Sequence, residues 1–281
     1  MIPMKKIIVS LILTLLLIPV FSQESEDYPL RLFETSILID NQTVTTPFKG
    51  MLEFEIHHRF ATVNNGIDDF FGIWGASNIR LGLNYGILDK LMIGVGTTKD
   101  RKVQDFAVKY ALLQQTNSGS TPVSLTFYGN MGISLMGKDN FGPSPDWREI
   151  HRFSYLTQAI IARQFAGKLS VQVAPTFIWL NAVEEGYKNA NFGFSAGAKY
   201  NLFGSHSLMV EYDQLFNKQK NAELNSKPQL AIGWEISTAT HAFQLFFANY
   251  REILGQYNFV YNQNSISDLN YLIGLNITVR F

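Results

Sequence analysis

The sequence contains no cysteine, which removes disulfides, thiol chemistry and a lipid anchor on cysteine. It is also short of charge: Asp, Glu, Lys and Arg make up 16% of its 281 residues, against roughly 25% in an ordinary soluble domain. Its 23 basic and 23 acidic residues cancel, so composition offers no electrostatic footprint for nucleic acid. Beyond the first 22 residues no apolar stretch is long enough for a membrane helix. A chain with too little charge for a solvated exterior and no helical span needs another way to meet lipid. What it has in quantity is aromatic side chains, 14%, and 21 glycines.

The N-terminus reads as an address. "MIPMKK" is a short basic region, "IIVSLILTLLLIPV" an apolar run, and Pro19 and Ser22 precede a cleavage point at Gln23. The run is too short for a comfortable span and leads into polar "QESEDYP", so residues 1–22 are expected to be a secretory signal peptide.

From residue 49 the apolar period is two. Leu52, Phe54, Ile56 and Phe60 alternate with Glu53, Glu55, His57 and Arg59, and Ile79, Leu81, Leu83 and Tyr85 with Arg80, Gly82, Asn84 and Gly86. The pattern recurs at 91–98, 104–113, 122–134, 151–163, 168–180, 191–202, 207–215, 229–236, 241–250 and 269–281. That makes about twelve strands of roughly ten residues, the length of a tilted transmembrane strand. Connections alternate between short turns and longer segments at 61–76, 97–103, 135–150, 181–190, 216–228 and 251–268. The expected fold is all-β: a closed antiparallel up-and-down transmembrane β-barrel over 49–281. Residues 23–48 would form a periplasmic or lumen-plugging segment, for which "RLFETSILI" is apolar enough to seek burial.

A soluble sandwich or lipocalin-like barrel would alternate too. Here, though, the polar face is mostly small or neutral, as in Gly94, Gly96, Ser195 and Gly197, and aromatics collect near strand ends. Phe60, Phe153, Trp179, Tyr212 and Tyr271 lie toward the long loops; Tyr85, Tyr200, Trp234 and Phe281 lie toward the short turns. Two aromatic girdles fit an apolar band between two interfaces, hence the outer membrane. By the same parity the lumen wall carries Glu53, Glu55, Asp105, Glu211, Asp213 and Glu235 against Arg59, Arg80, Lys109, Arg152, Lys199 and Arg280, with His57 among them. Such charges must pair or stay hydrated, so they form either an ionic network that fills the wall or the lining of a narrow pore.

The last strand alternates Tyr271, Ile273, Leu275, Ile277, Val279 and Phe281. It resembles the C-terminal signal by which Gram-negative insertion machinery captures outer-membrane proteins, with Tyr271, Ile277, Val279 and Phe281 as its assembly residues. Residues 33–110 carry a more specific likeness. "FETS", "PFKGMLEFEIHHRF", "DFFGIWGASNIRLGLNYGI", "IGVG" and "VKYALL" resemble the Bacteroidetes β-barrel family catalogued as domain of unknown function 5777. The likeness extends through "QAIIARQF" and "HAFQLFFAN". It implies a signal peptide and an outer-membrane barrel, and no established activity.

No constellation for catalysis, metal or cofactor emerges. His57 and His58 are adjacent, so a strand points them to opposite faces. Asn64, Asp68 and Asp69 lack the regular oxygen spacing of a calcium loop. The twelve-stranded outer-membrane phospholipases place serine and histidine on the outer wall, but no histidine here is followed closely by "SNG". The readings, in order, are a narrow channel for small solutes, a structural or docking barrel, and last a lipid hydrolase. Expected partners are outer-membrane lipid and the barrel-assembly machinery, and not nucleic acid.

Overall fold

In hydrocarbon every backbone N–H and C=O must find a partner within the protein, so alternating strands are stable there only when the sheet closes on itself. The computed structural model describes residues 27–141, 147–268 and 270–281; the expected signal peptide lies outside them. It contains twelve strands: β1 (Leu52–Thr62), β2 (Asn78–Leu88), β3 (Leu91–Thr98), β4 (Val103–Leu113), β5 (Ser124–Ser134) and β6 (Phe153–Phe165), then β7 (Leu169–Leu180), β8 (Ala190–Phe203), β9 (His206–Leu215), β10 (Gln229–Ser237), β11 (His241–Ala248) and β12 (Leu272–Arg280). Each pairs antiparallel with its sequence neighbours, and β1 pairs with β12 to close the barrel. At that seam Glu53 faces Arg280, Phe54 faces Val279 and Ile56 faces Ile277. The backbones of Leu52 and Phe281 exchange two hydrogen bonds of 3.1 and 2.9 Å.

Parity then sorts the side chains. Leu81, Leu83, Ile93, Val95, Ile232 and Leu245 are exposed on the outer, lipid-facing surface, while the polar positions between them turn inward and are buried. No helix among the described residues is long and apolar enough to cross a membrane.

Two segments fill the interior. Residues 30–46 enter beside β4 and β5, where Leu30 N–H donates to Gln115 C=O at 2.7 Å. They reverse over Leu38–Asn41, with Leu38 N–H donating to Asn41 C=O at 2.8 Å and Thr43 N–H to Ser36 C=O at 2.9 Å. The chain then returns to the end it came from and leads into β1, Gly50 N–H bonding Gly86 C=O at 2.8 Å. From the opposite end, the β11–β12 connection folds inward as a short helix, α1 (Gly255–Tyr261). Its Tyr257, Phe259 and Val260 pack on Val103, Leu156, Ile178 and Leu180.

Two sequence expectations, on Arg152 and on the β3–β4 connection, need correction. Arg152 is not on the lumen wall: it ends a one-turn 3-10 helix, Glu149–Arg152, just before β6. Its guanidinium donates to Ser134 C=O at 3.1 Å, pairs with Glu149 at 2.7 Å and stacks on Trp147, so local loop contacts hold it outside the period-two run. Tyr271 stands just before β12 and carries the seam one step further, its C=O accepting from Val63 N–H at 2.8 Å while its hydroxyl donates to Ile266 C=O at 3.1 Å. The β3–β4 connection, read as longer, is a tight turn over Lys99–Lys102 with Arg101 and Lys102 at positive φ.

Candidate functional site

Each inward charge belongs to a strand whose alternation leaves it no other direction. Glu53, Glu55, His57, Arg59, Arg80, Asp105, Lys109, Lys199, Glu211, Asp213, Glu235 and Arg280 are all buried in the interior. Some pair across the wall. Arg80 bridges two carboxylates, donating to Asp105 at 3.0 and 2.8 Å and to Glu55 at 3.2 Å. Lys199 meets Glu235 at 2.7 Å, and Arg280 lies 3.8 Å from Glu53. His57 Nε2 lies 3.4 Å from the Glu55 carboxylate.

The remaining charges are satisfied by the N-terminal hairpin. Backbone N–H groups of Ile39, Asp40 and Asn41 donate to the Glu211 carboxylate at 2.8, 3.0 and 3.0 Å. Asn41 Nδ2 donates to Asp213 at 2.7 Å. Lys109 Nζ donates to Ser36 C=O at 2.7 Å. Arg59 donates to Asp40, and the Ser36 hydroxyl to Glu53. A buried ion without such partners would be very costly, so the hairpin is part of the charge network.

Its other side is apolar. Leu32, Phe33, Leu38, Ile39 and Val44 pack on Ile160, Ala162 and Ala174 of β6–β7 and on Met209, Ala231 and Phe246 of β9–β11. The lumen wall therefore carries charge on β1, β2 and β4 and again on β8–β10 and β12, and apolar side chains of β6–β7 and β9–β11 line it as well; counting inward charges alone had missed that apolar lining. The inward positions Ile160, Ala174 and Phe246 were its visible signal.

Between hairpin tip and α1 a chamber of about 40 Å³ remains, lined by Asn41, Gln42, His57, Asn130, Gln158 and Gln256 among others. Gln42 Oε1 and His57 Nδ1 are buried without a hydrogen-bond partner, and the space admits about three waters. At the loop-side end Arg101 holds α1 down, lying 5.0 and 4.5 Å from the Tyr257 and Tyr261 ring centres and 3.0 Å from Glu252. Burial opposes the Arg101 charge, yet the Glu252 pair outweighs it and raises the pKa above the ordinary arginine value. Burial also pushes the Tyr261 phenol up, so it stays protonated. Loop residue Asp69 accepts hydrogen bonds from Asn65 and Gly72 of its own turn. No cluster of three or more metal-ligating side chains occurs among the described residues.

A closed antiparallel barrel with a bulky apolar exterior and a charged, filled interior defines a membrane-bound β-barrel of the outer membrane. The chain belongs to the membrane-bound β-barrel domain family DUF5777, which it matches over residues 33–281. No curated protein is similar to it in sequence. Among solved structures, the NanC porin is similar in fold, with a TM-score of 0.51 at 9% identity, covering 82% of this chain and 98% of that one. An outer-membrane channel from Pseudomonas putida gives a TM-score of 0.49 at 12% identity over 84% and 97%. Outer membrane phospholipase A from Escherichia coli gives 0.42 at 13% identity over 81% and 92%. At such identities the likeness is one of fold alone.

Proposed function

We propose that the protein is an outer-membrane channel for small solutes, held shut in this state by the 30–46 hairpin and α1. The observation that carries this reading is topological: the hairpin enters and leaves the lumen at the same, short-turn end, so it can withdraw without unthreading. The wall it would leave behind bears Glu, Lys, Arg, Asn and Gln that water can solvate. The apolar packing of its other side makes opening a driven event and not a frequent fluctuation.

Planar-bilayer recording tests this. The intact chain should give no steady conductance, and a variant lacking residues 27–46 should conduct. Thr126 donates to Val44 C=O at 3.2 Å, so in this cysteine-free chain Val44→Cys with Thr126→Cys should tether the plug and keep the barrel silent until reduced. A truncated barrel that is folded by heat-modifiable mobility yet silent would instead favour a docking barrel. The core-like packing of Leu32, Phe33 and Leu38 supports that second reading.

A further inference from the structure

The lipid-facing wall is not uniform. Where other strands present Leu83, Val95 and Leu245, the corresponding outward positions of β5–β7 are Gly129, Thr157, Ala159 and Pro175. Register brings them together, Gly129 facing Thr157 and Phe127 facing Ala159. Pairing between β6 and β7 stops after Gln158–Thr176 and resumes at Ile161–Val173, because Pro175 has no N–H to donate. The result is a recess of about 650 Å³ in the outer wall. Tyr110 and Phe127 rise on one side of it, Phe192 and Phe216 on the other.

We propose that this recess holds one acyl chain of a lipid in the leaflet on the long-loop side, its headgroup lying toward Phe216 and Lys218. The surroundings are hydrocarbon, so the occupant is apolar. The recess is concave in a convex wall, and a second barrel of the same curvature would touch its aromatic rims and leave the floor empty. The loop-side end supplies a charge: Lys218 follows Phe216 by two residues, is exposed, and forms no ion pair among the described residues, which suits a lipid phosphate. The floor supplies a hydroxyl: Thr157 is exposed and its side-chain oxygen has no hydrogen-bond partner among the described residues. In hydrocarbon such a group favours an acceptor, and a lipid ester oxygen provides one.

The test uses the full chain in phosphatidylethanolamine vesicles doped with a phospholipid that carries a diazirine on one acyl chain. Labelling of the wild type should concentrate on β5–β7, and Ala159→Phe or Gly129→Phe, which fill the floor, should reduce it there roughly ten-fold. Leu245→Phe, on a distant strand, should leave it unchanged. Labelling spread evenly around the wild-type wall overturns the proposal even if neither filled variant folds. Labelling that persists in folded, filled variants also overturns it. So does chemical cross-linking of two copies through the recess that the same substitutions abolish, which would assign the recess to self-association.

Discussion

Arg80 shows how single residues hold the interior together. It sits between Glu55 and Asp105, and there is space for it because its neighbours have no side chain. A Cβ on Gly82 would lie 2.6 Å from its Nη1, and one on Gly96 would lie 2.4 Å from its Nη2. The "small polar face" of β2 and β3 is thus a mould for one guanidinium. Removing one partner of a buried network costs about 3–5 kcal/mol. Arg80→Ala should therefore lower the urea midpoint of the folded, heat-modifiable band substantially, and Gly96→Ala should lower it by a smaller, measurable step. A variant as stable as wild type would mean that water replaces the guanidinium. Parity alone placed Arg80 and eleven other charged or histidine side chains in the lumen. Their partners were not legible, since Glu211 is met by Ile39–Asn41 across about 170 positions of sequence, and no local pattern encodes such a contact.

At the scale of elements, strand boundaries followed the alternation to within a few residues, because in lipid the period decides which face is tolerated. Segments that leave the barrel wall were harder to read. The 251–268 stretch looked like a long loop, although "YNFVY" within it carries the apolar side chains that α1 buries. A seven-residue helix is too short to announce itself by periodicity. Phe259 is among the most deeply buried of these side chains. Phe259→Ala removes its ring, at a cost of about 3–5 kcal/mol for a core position, which falls on the lid and not on the barrel. Protease added from the loop side should then cut within 249–271 while the heat-modifiable band persists. The seam behaves differently. Deleting Phe281 removes both backbone bonds to Leu52 and shortens the only pairing that closes the sheet. The folded fraction after insertion should fall, and unchanged yield would show that Glu53–Arg280 and the pairs beyond it suffice.

Across the whole molecule the barrel and its filling are held by different means. The wall is a continuous ladder in which every strand has two partners, and opening it anywhere exposes backbone groups to lipid at several kcal/mol each. The hairpin is held by side-chain hydrogen bonds and by burial of apolar groups such as Leu32, Phe33, Leu38, Ile39 and Val44, each worth about 1.5–3 kcal/mol. The conformational entropy lost on ordering its backbone works against this. Its net hold is accordingly the smaller of the two, and local opening should precede global unfolding. Urea solvates the hairpin and the exposed lumen wall from the short-turn side but does not reach the lipid-facing ladder. Titrating urea on that side of a bilayer should therefore produce a reversible conductance at concentrations where the band still shows heat-modifiable mobility. In the oxidised Val44→Cys, Thr126→Cys variant the conductance should be absent and should return on reduction. If conductance appears only together with loss of the folded band, hairpin and barrel unfold as one unit, and the lumen is a sealed core and not a gated path.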